Sequence, residues 1–451
     1  FLLALILGGQ EAAPTRLWAG STQTYTSDAQ FNISDLANVQ VRGTGAGASV
    51  EVTHTWAQGA GPTLSARRWY GIDYDTRNAV AVAFGGLVGG AANGETWVFW
   101  PATSTWQQRF PTGSPPTARY GHSLTAIGGG KFLCFGGTPD GSSYSAGTWV
   151  YDVTADSWTS LTLSTFPSAR AWHGVAFSTT SRQAVLFGGF FDGGYLGETW
   201  RFDVAASSWA LLAPATSPTA RRYHAMTWDP STNRAILFGG QSGAVNQNDT
   251  WLYTWGGAWS NAAPTGPPSV RQQAMMAWDG FNGRALLFGG YDGGYLGDTW
   301  MLNPGGNAWT TAVPLSSPPA RYGGGLFFVS SSSETILVSG TIAPGNSQDL
   351  WRHAYRPSGF ITLPKIDAPF APTSLTWQTL TLLPYPQPAN TIVRFQISSS
   401  LDDIAYSTYL GPDNTVNTFY DYLGVPVSIS SWHNDRRYLR VRAFLSSTDY
   451  P

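Results

Sequence analysis

The stretch "FDGGYLGETW" at Phe191 to Trp200 returns as "YDGGYLGDTW" at Tyr291 to Trp300, one hundred residues later. A match of this length at such a distance indicates internal repetition. The distance spans two periods, because "FGG" or an equivalent triplet recurs every 50 to 52 residues. Its six copies end at Gly86, Gly137, Gly189, Gly240, Gly290 and Gly340. The sequence therefore predicts six copies of one structural unit.

Each unit also carries two tryptophans and an arginine at near-constant spacing. The first tryptophans are Trp97, Trp149, Trp200, Trp251, Trp300 and Trp351. Eight or nine residues further on come Trp106, Trp158, Trp209, Trp259 and Trp309, with Phe360 in the sixth unit. The arginines end Pro-rich linkers and are Arg119, Arg170, Arg221, Arg271 and Arg321, with Arg67 or Arg68 opening the first unit. Short apolar or alternating runs between these marks predict four strands per unit.

The six aligned copies of Gly-Gly, Trp and Trp resemble the kelch-repeat family over roughly residues 61 to 364. The resemblance implies an all-β, kelch-type β-propeller in which six clear four-stranded blades surround a central axis. The composition agrees with this fold class. The chain has 52 Gly, 29 Pro and 21 Trp, which is typical of a turn-rich β protein rather than a helical one.

The sequence leaves open which strand completes the ring of blades. Phe360 in "GFITLP" has the spacing of an outer-strand residue, and so does Trp56 at the end of "SVEVTHTW". If both are blade strands, the N-terminus holds part of a seventh blade, because "ALILGGQ" matches "AILFGGQ" of the fourth unit. The alternative is that "FLLALILGG" is the remnant of a secretory signal.

The chain is predicted to contain three segments. Residues 1–48 form the N-terminal segment, residues 49–364 the propeller, and residues 365–451 a β-sandwich module that is truncated at its C-terminus. Its "RYLRVRAFLSSTD" ending resembles modules of bacterial secreted and surface proteins. We therefore expect an extracellular or bacterial cell-surface location.

Composition excludes several classes of partner and cofactor. A net charge of −2 with 12% charged residues argues against nucleic acid and anionic membranes, and no apolar run is long enough to span a bilayer. The only cysteine, Cys134, excludes an intrachain disulfide framework and a Cys-rich zinc site. It aligns with Leu186, Leu237 and Leu287 of other units, so we predict a core residue rather than the Cys-Tyr cofactor of a galactose-oxidase-type enzyme.

A carboxylate precedes the first tryptophan in five of the six units. These residues are Glu95, Glu198, Asp249, Asp298 and Asp349, and Gly147 is the exception. A catalytic carboxylate is needed once or as one pair, whereas these residues recur together with the linker arginines. We therefore interpret both sets as structural, for example as ion pairs between blades.

Three histidines, His122, His173 and His224, share one repeat position, three residues after the linker arginine. Strand one of a propeller blade lies nearest the axis, so these rings are expected near the mouth of the central channel. Three interpretations stand: bonds to backbone groups, ligand contact, and a metal site. We favour the structural one, predict no metal or cofactor, and keep the histidines as candidate binding residues.

The glycine-rich loops between strands two and three are the main candidate binding site. Their glycines permit tight turns, but glycine does not account for the aromatic and acidic residues beside them. The candidates are Tyr144, Phe191, Asp192, Tyr195, Tyr291, Asp292 and Tyr295. Either these rings project from one face and contact a sugar or a protein, or each tyrosine folds back over its own blade.

The sequence favours a non-enzymatic binding or adhesion module, expected to be a monomer, that recognises a glycan or a surface protein through this face. The first alternative is a carbohydrate-active enzyme, either an oxidase or a glycan hydrolase. The second is a structural spacer in a larger surface protein. An enzyme would require a compact cluster of non-repeated acids, histidines or tyrosines, and the sequence contains no such cluster.

Overall fold

The computed structural model describes residues 64–312, 314 and 316–355, the strand from His54 and Gly59 after it, and shorter segments between residues 3 and 52 and between 358 and 447. The chain divides into two compact units, Trp56–Ala354 and Phe1–Thr55 with Tyr355–Pro451. The first unit is the propeller. The segment bounds drawn from the sequence stay a prediction.

The propeller consists of six sheets, each with four antiparallel strands in the order one to four from the axis outwards, and a short fifth strand joins the second sheet. The prediction of six blades is therefore confirmed. The first blade contains Gly71–Asp75, Val80–Phe84, Thr96–Trp100 and Thr105–Arg109. The second contains Ser123–Gly128, Lys131–Phe135, Thr148–Asp152 and Ser157–Ser160. The third contains Gly174–Ser178, Gln183–Phe187, Thr199–Asp203 and Ser208–Leu212.

The later blades have longer central strands, because strands two and three stay paired beyond an irregularity at Gly240, Gly290 and Gly340. The fourth blade contains Ala225–Asp229, Arg234–Ser242, Val245–Thr254 and Ala258–Asn261. The fifth contains Met275–Asp279, Arg284–Tyr291, Tyr295–Asn303 and Ala308–Ala312. The sixth contains Gly325–Val329, Glu334–Ile342, Gly345–Tyr355 and, from the other end of the propeller sequence, His54–Gln58. Short hairpins at Leu87–Val88 with Ala91–Ala92 and at Phe190–Phe191 with Gly194–Tyr195 extend the first and third blades.

Strand His54–Gln58 completes the ring as the outer strand of the sixth blade. Its Trp56 takes the place of the outer tryptophans of the other blades. The indole N–H donates to Thr299 Oγ1 at 3.1 Å, and the ring lies 5.3 Å from that of Phe288 in the fifth blade. The second candidate, Ser358–Thr362, pairs instead with Tyr438–Ser447 of the other unit.

The same tryptophan bond joins neighbouring blades around the propeller. Trp158, Trp209, Trp259 and Trp309 each donate their indole N–H to a threonine of the preceding blade, at 3.0 to 3.1 Å. Their acceptors are Thr96, Thr148, Thr199 and Thr250. Each pair is buried, so a hydrogen bond and an aromatic contact hold each of these blades to its neighbour.

Linkers cover the edges of several outer strands. Thr112–Gly113 adds a parallel strand to Ser157–Ser160 of the second blade, and Thr265 forms a parallel bridge with Ala308 of the fifth. Trp56 donates its backbone N–H to Ser316 O at 3.4 Å in the sixth. Such contacts satisfy backbone groups that an open sheet edge would leave unpaired.

The second unit contains two sheets. One includes Leu3–Glu11, Leu375–Leu383, Leu17–Trp18, Thr22–Tyr25 and Val427–Ser428. The other includes Ser358–Thr362, Tyr438–Ser447, Thr391–Ser400, Tyr420–Asp421 and Ile366–Asp367. A hairpin of Val39–Arg42 with Ser49–Val52 and a 3₁₀ turn at Ser431–His433 complete the described elements. Because Leu3–Glu11 pairs with Leu375–Leu383, the alternative of a partial seventh blade is wrong. The β-sandwich and the secretory signal stay predictions.

The recurrent arginines and acids form ion pairs within blades, not between them as the sequence analysis proposed. The arginine at the entrance of a blade pairs with the acid two residues before the first tryptophan of the same blade, at 2.5 to 2.8 Å. The pairs are Arg67–Glu95, Arg170–Glu198, Arg221–Asp249, Arg271–Asp298 and Arg321–Asp349. Each arginine is fully or almost fully buried and also donates to the first carbonyl of its blade's Gly-Gly turn, or of the Ser339-Gly340 turn in the sixth blade.

The second blade replaces this ion pair by an aromatic contact. Gly147 stands at the acid position, and a Cβ built there would lie 2.1 Å from the ring of Trp149. The ring therefore occupies the space of the missing carboxylate. The Arg119 guanidinium lies 4.3 Å from its centroid, which is a cation–π geometry.

Candidate binding face

The antiparallel meander gives the propeller two different faces. The linker face carries the linkers that enter each blade and the loops between strands two and three. The turn face carries the turns between strands one and two and between strands three and four. The predicted loop residues therefore lie on the linker face, and the structure adds a central patch that the sequence analysis did not identify.

A closed ring of backbone hydrogen bonds surrounds the axis at the linker face. Its members lie two residues after each linker arginine and are Trp69, Gly121, Trp172, Tyr223, Gln273 and Gly323. Each backbone N–H donates to the carbonyl of the equivalent residue in the preceding blade, at 2.6 to 3.2 Å. All six have a positive φ between 56° and 69°, although four of them are not glycine. The ring forces this conformation, so the backbone is constant while the side chain is not.

The side chains of this ring meet over the axis. Trp69 of the first blade lies 6.2 Å from Trp172 of the third and 6.2 Å from Tyr223 of the fourth, measured between ring centroids. Its indole N–H donates to Gln273 Oε1 of the fifth blade at 2.7 Å. Residues from opposite blades therefore close the linker end of the central channel.

Arg222 lies in the middle of a half-buried aromatic patch. Its guanidinium carbon is 4.3 Å from the ring centroid of Phe190, 4.8 Å from Tyr223, 5.4 Å from Tyr195 and 5.5 Å from Trp172. Two of its nitrogens donate to Gln241 Oε1. The geometry fixes one cation among several rings, with part of each group still accessible to solvent.

Tyr195 contacts both its own blade and the next one, because its ring lies 5.3 Å from that of Phe190 in the same blade. Its hydroxyl donates to Gln241 Oε1 at 3.1 Å and to Gly243 O, both in the fourth blade. Tyr144 behaves in a similar way, because its ring lies 5.5 Å from that of Phe191 in the third blade. Neither tyrosine is free, but Phe191 is 43% exposed.

The matching loop of the fifth blade makes a second aromatic cluster. Tyr295 stacks on Tyr322 of the sixth blade with ring centroids 5.4 Å apart, and Tyr291 lies 5.5 Å from the same ring. Tyr295 is 39% exposed. Arg68 donates to the Tyr322 hydroxyl at 3.1 Å and connects this cluster to Trp69, over which its guanidinium lies at 4.1 Å.

The loop acids lie outside these clusters. Asp192 and Asp292 are exposed at the loop tips. Asp140 of the second blade accepts backbone N–H bonds from Ser143 and Ser142, which lower its pKa below the ordinary value. In the centre of the patch, burial raises the pKa of Tyr223 to about 12, because it disfavours the charged phenolate. The linker face therefore combines uncharged rings, two central cations and acids on its loops.

The three histidines are buried between blades and do not line an open channel mouth. Each ring stands edge-on against the phenylalanine of the preceding blade's "FGG" triplet, with ring centroids 5.3 to 5.6 Å apart. His122 Nε2 lies 3.1 Å from Phe84 O, and His173 Nε2 lies 3.0 Å from Ser123 Oγ. Burial lowers the pKa of His122 and of His224 to about 3. This geometry favours the structural interpretation over ligand contact.

Cys134 is fully buried in the core between the first and second blades. Burial raises the pKa of its thiol to about 12, so the reactive thiolate is scarce at neutral pH. Within the described ranges, no group of three His, Cys, Asp or Glu side chains is arranged to hold a metal ion. No helix among those residues is long and apolar enough to cross a membrane.

Comparison with known proteins places the repeats in a family. The model of the KLHDC2/KLHL20/DRC7 Kelch-repeats domain matches residues 50–212 and 149–341. Multiple epidermal growth factor-like domains protein 8 of Mus musculus is 27% identical over 195 residues, which is 41% of this chain and 7% of that protein. The flagellar outer-arm dynein alpha chain of Chlamydomonas reinhardtii is 28% identical over 159 residues, or 34% of this chain. This chain covers 3% of the dynein chain, so both matches concern one segment of a much longer protein.

Proposed function

Since the chain belongs to the kelch-repeat family, we propose that its propeller is a protein-binding module that takes its partner on the linker face. The observation that carries the proposal is the aromatic patch around Arg222, in which one guanidinium contacts four rings at the centre of the face. Tyrosine, tryptophan and arginine in such central positions supply most of the binding energy at protein interfaces.

The arrangement of the patch supports this proposal. Rings of three blades meet near the axis, so one partner segment can contact several blades at once. Their bonds to neighbouring blades fix the side chains before binding, which reduces the entropy lost on association. Phe191 and Tyr295 are exposed on the loops around this centre and extend the contact area outwards.

A glycan ligand and an extracellular location, both predicted from the sequence, belong to the same proposal. Flat aromatic rings also suit the apolar face of a sugar, so a glycan is the second ligand class to test. We expect the partner to be extracellular, because the C-terminal segment resembles modules of bacterial secreted and surface proteins. Cell fractionation with an antibody against the protein tests the location separately from binding.

The test uses two exposed phenylalanines on opposite faces. Phe191→Ser changes the linker face, and Phe281→Ser is the matched control on the turn face, where Phe281 is 55% exposed. Partners captured by the full chain are identified by mass spectrometry, purified and titrated, and the same three proteins are applied to a glycan array.

We expect Phe191→Ser to weaken binding of a purified partner at least tenfold, and Phe281→Ser to leave it unchanged. Equal binding by all three proteins would contradict the linker face as the site. If no protein partner is captured and the glycan signals are lost in Phe191→Ser, the ligand of the linker face would be a sugar rather than a protein.

A further inference from the structure

The turn face holds a cavity that the proposed function does not use. Strand one of each of the six blades lines a space of about 290 Å³ along the axis. Thr76 and Thr179, which follow strand one at the turn side, are exposed and belong to the lining, so the cavity opens towards the turn face. At the linker side, the closed ring of backbone hydrogen bonds covers the axis. We call this space the axial cavity.

The lining of the axial cavity combines aromatic rings with polar groups. The rings belong to Tyr74, Phe177, Trp228, Trp278, Phe327 and Phe328. Trp278 and Phe328 are only half-buried, so part of each ring is accessible. Three polar side chains share one repeat position, six residues after the linker arginine, and are Asp73, Thr125 and Thr227. The other three blades have Ala176, Ala277 and Phe327 there, so the blades present different groups to the axis.

Asp73 supplies the one carboxylate among the described lining residues. Its two oxygens accept the backbone N–H of Tyr74 and that of Ala126 in the second blade, each at 2.8 Å. A carboxylate oxygen has two lone pairs, so each of these oxygens can accept a further bond from a ligand in the cavity. No arginine, lysine or histidine of the described ranges forms an ion pair with Asp73.

The groups around Asp73 do not neutralise its charge. The strands that pack against it carry no titratable side chain and are Val80–Phe84, Ser123–Gly128 and Gly325–Val329. Strand two of the second blade adds the fully buried Cys134 and, at its exposed start, Lys131, which lies opposite Asp152 in the strand register. Arg77 is exposed in the same turn as Asp75. The cations near the mouth therefore each stand beside an acid.

The carboxylate of Asp73 is costly to ionise in this environment. Burial raises its pKa to about 6, the two backbone hydrogen bonds lower it, and the nearby carboxylate of Asp75 raises it again. As pH rises above about 6, the axial cavity therefore gains a negative charge that has no counterion among the described residues. A cation bound in the cavity would offset this charge.

The remaining polar groups of the lining are free to contact a ligand. The hydroxyls of Thr125 and Thr227 make no hydrogen bond to any described residue. A hydroxyl oxygen accepts hydrogen bonds, and the face of an aromatic ring attracts cations. Carboxylate, hydroxyls and ring faces all attract the same kind of ligand, which is a positively charged group that carries N–H or polarised C–H bonds.

We propose that the axial cavity binds a small organic ammonium compound, with Asp73 as its counterion and the rings of Trp278 and Phe328 against its carbon atoms. A metal ion is a poorer fit, because the described residues offer no group of three His, Cys, Asp or Glu side chains. A neutral ligand would leave the carboxylate without a counterion. The cavity lies at the opposite end of the axis from the linker-face patch, so this proposal is independent of the proposed function.

Two substitutions of the full chain test the two parts of this site. Asp73→Asn removes the charge. Trp278→Ala removes a ring at a position where the second blade already has Ala126, so folding is expected to persist. Phe281→Ser is the control, since Phe281 is exposed on the turn face and does not line the cavity. A melting curve of each variant confirms folding.

The probes are choline, a quaternary ammonium compound, ethanolamine, a primary one, and the neutral analogue of choline in which carbon replaces nitrogen. Isothermal titration calorimetry at pH 7 should show saturable binding of choline or ethanolamine to the wild type and to Phe281→Ser. We expect the neutral analogue to bind at least tenfold more weakly than choline. The affinity for the charged probe should fall at least tenfold in Asp73→Asn and at least threefold in Trp278→Ala.

A pH series gives a second readout that does not depend on a variant. Choline keeps its charge at every pH, whereas Asp73 binds a proton as pH falls through about 6. The affinity of the wild type for choline should therefore fall at least fivefold between pH 7 and pH 5, because the proton and the ligand compete for the same carboxylate. In Asp73→Asn this dependence on pH should be absent.

Four results would overturn the proposal. The first is no saturable binding of either choline or ethanolamine to the wild type. The second is equal affinity for choline and its neutral analogue, which would make the cavity a site for uncharged molecules. The third is an affinity that changes neither in Asp73→Asn nor with pH. The fourth is displacement of choline by an equal concentration of potassium chloride, which would make the cavity a site for inorganic cations. Loss of binding in Phe281→Ser alone would place the site outside the axial cavity and likewise reject the proposal.

Discussion

The buried arginine of each linker and the residue two positions after it lie close together in every blade. The arginine is the same in all blades, whereas the side chain of the second residue differs between them. The arginine is present in all six blades and makes the same bond to a Gly-Gly turn, which is Ser339-Gly340 in the sixth blade. Two residues later the backbone is equally constant. It has a positive φ and donates one hydrogen bond in the closed ring around the axis, but the side chain is Trp, Gly, Trp, Tyr, Gln or Gly.

This difference separates architecture from recognition. A buried guanidinium needs a fixed set of acceptors, so its side chain cannot vary without leaving polar groups unpaired. At the ring position the backbone makes the structural bond, and the side chain is free to differ between blades. Recurrent side chains therefore hold the propeller together, whereas varying side chains on a recurrent backbone shape the linker-face patch.

The largest expected effect is the loss of a buried ion pair. Asp349 is the least exposed of the five acids, with 15% of its side chain accessible. Burial would raise its pKa, but hydrogen bonds from Arg321 and Ser347 hold it below the ordinary value. Asp349→Ala should lower the free energy of unfolding by about 3 kcal/mol, because it leaves Arg321 buried without its counterion.

Urea unfolding of Asp349→Ala beside Glu198→Ala measures this prediction. Glu198 is 42% exposed, so solvent should reduce the effect of its removal. Equal stability of Asp349→Ala and the wild type would show that the recurrent pairs do not hold the blades.

The histidines predict a dependence of stability on pH. Their folded-state pKa values lie below the ordinary 6.5, at about 3 for His122 and His224. As pH falls from 6.5 towards 3 the unfolded chain binds protons first, so stability is lost by up to about 1.4 kcal/mol per pH unit for each histidine. Asp73 acts oppositely, because its folded pKa of about 6 exceeds 3.8, and the stability that it adds at low pH is lost as pH rises through 6.

The matched variant for this pH dependence is His224→Ala, since the fifth blade already has Ala274 at that position. Urea unfolding between pH 7 and pH 4 should give a shallower loss of stability in the variant than in the wild type. The same dependence of stability on pH in both proteins would mean that His224 is not kept neutral in its contact with the third blade.

A smaller effect is expected at the bond that closes the ring. Thr299→Val removes the acceptor of the Trp56 indole N–H but keeps the shape of the side chain. We expect the free energy of unfolding to fall by about 1.5 kcal/mol, the typical cost of leaving a buried donor unpaired. The same stability in Thr299→Val as in the wild type would refute the role of the bond.

The repeated architecture could be predicted from sequence because each feature appears several times. Gly-Gly, Trp and Arg mark the turns and core positions, and their period fixes the number of blades. The closing strand could not be chosen by spacing, since both Trp56 and Phe360 have it. Only Trp56 has an indole N–H to donate to the preceding blade, and this signal was present in the sequence.

Other features depend on contacts between distant positions. The acids and arginines recur together, but only the structure shows that each pair lies within one blade. Their near-constant separation of 27 or 28 residues was the signal that could have indicated this. The linker-face patch escaped sequence analysis because Trp69, Trp172 and Tyr223 belong to different blades and share a backbone conformation rather than a residue type.

The smallest expected effect concerns the loop tyrosine. Tyr195→Phe removes the hydroxyl bond to Gln241 but keeps the ring beside Phe190 and Arg222. The bond lies near the surface, so the free energy of unfolding should fall by no more than about 1 kcal/mol. Thermal melting measures it, and a loss as large as that of Asp349→Ala would make the loop a structural element.

The most direct test of the separation between architecture and recognition measures stability and affinity together. Asp349→Ala and the pair Phe191→Ser with Tyr295→Ser are compared by urea unfolding and by titration of the purified linker-face partner. We predict that Asp349→Ala loses stability while its folded fraction binds with unchanged affinity. The double variant should lose much less stability than Asp349→Ala and should lose affinity at least tenfold. The reverse pattern, with affinity lost in Asp349→Ala and stability lost in the double variant, would contradict the account.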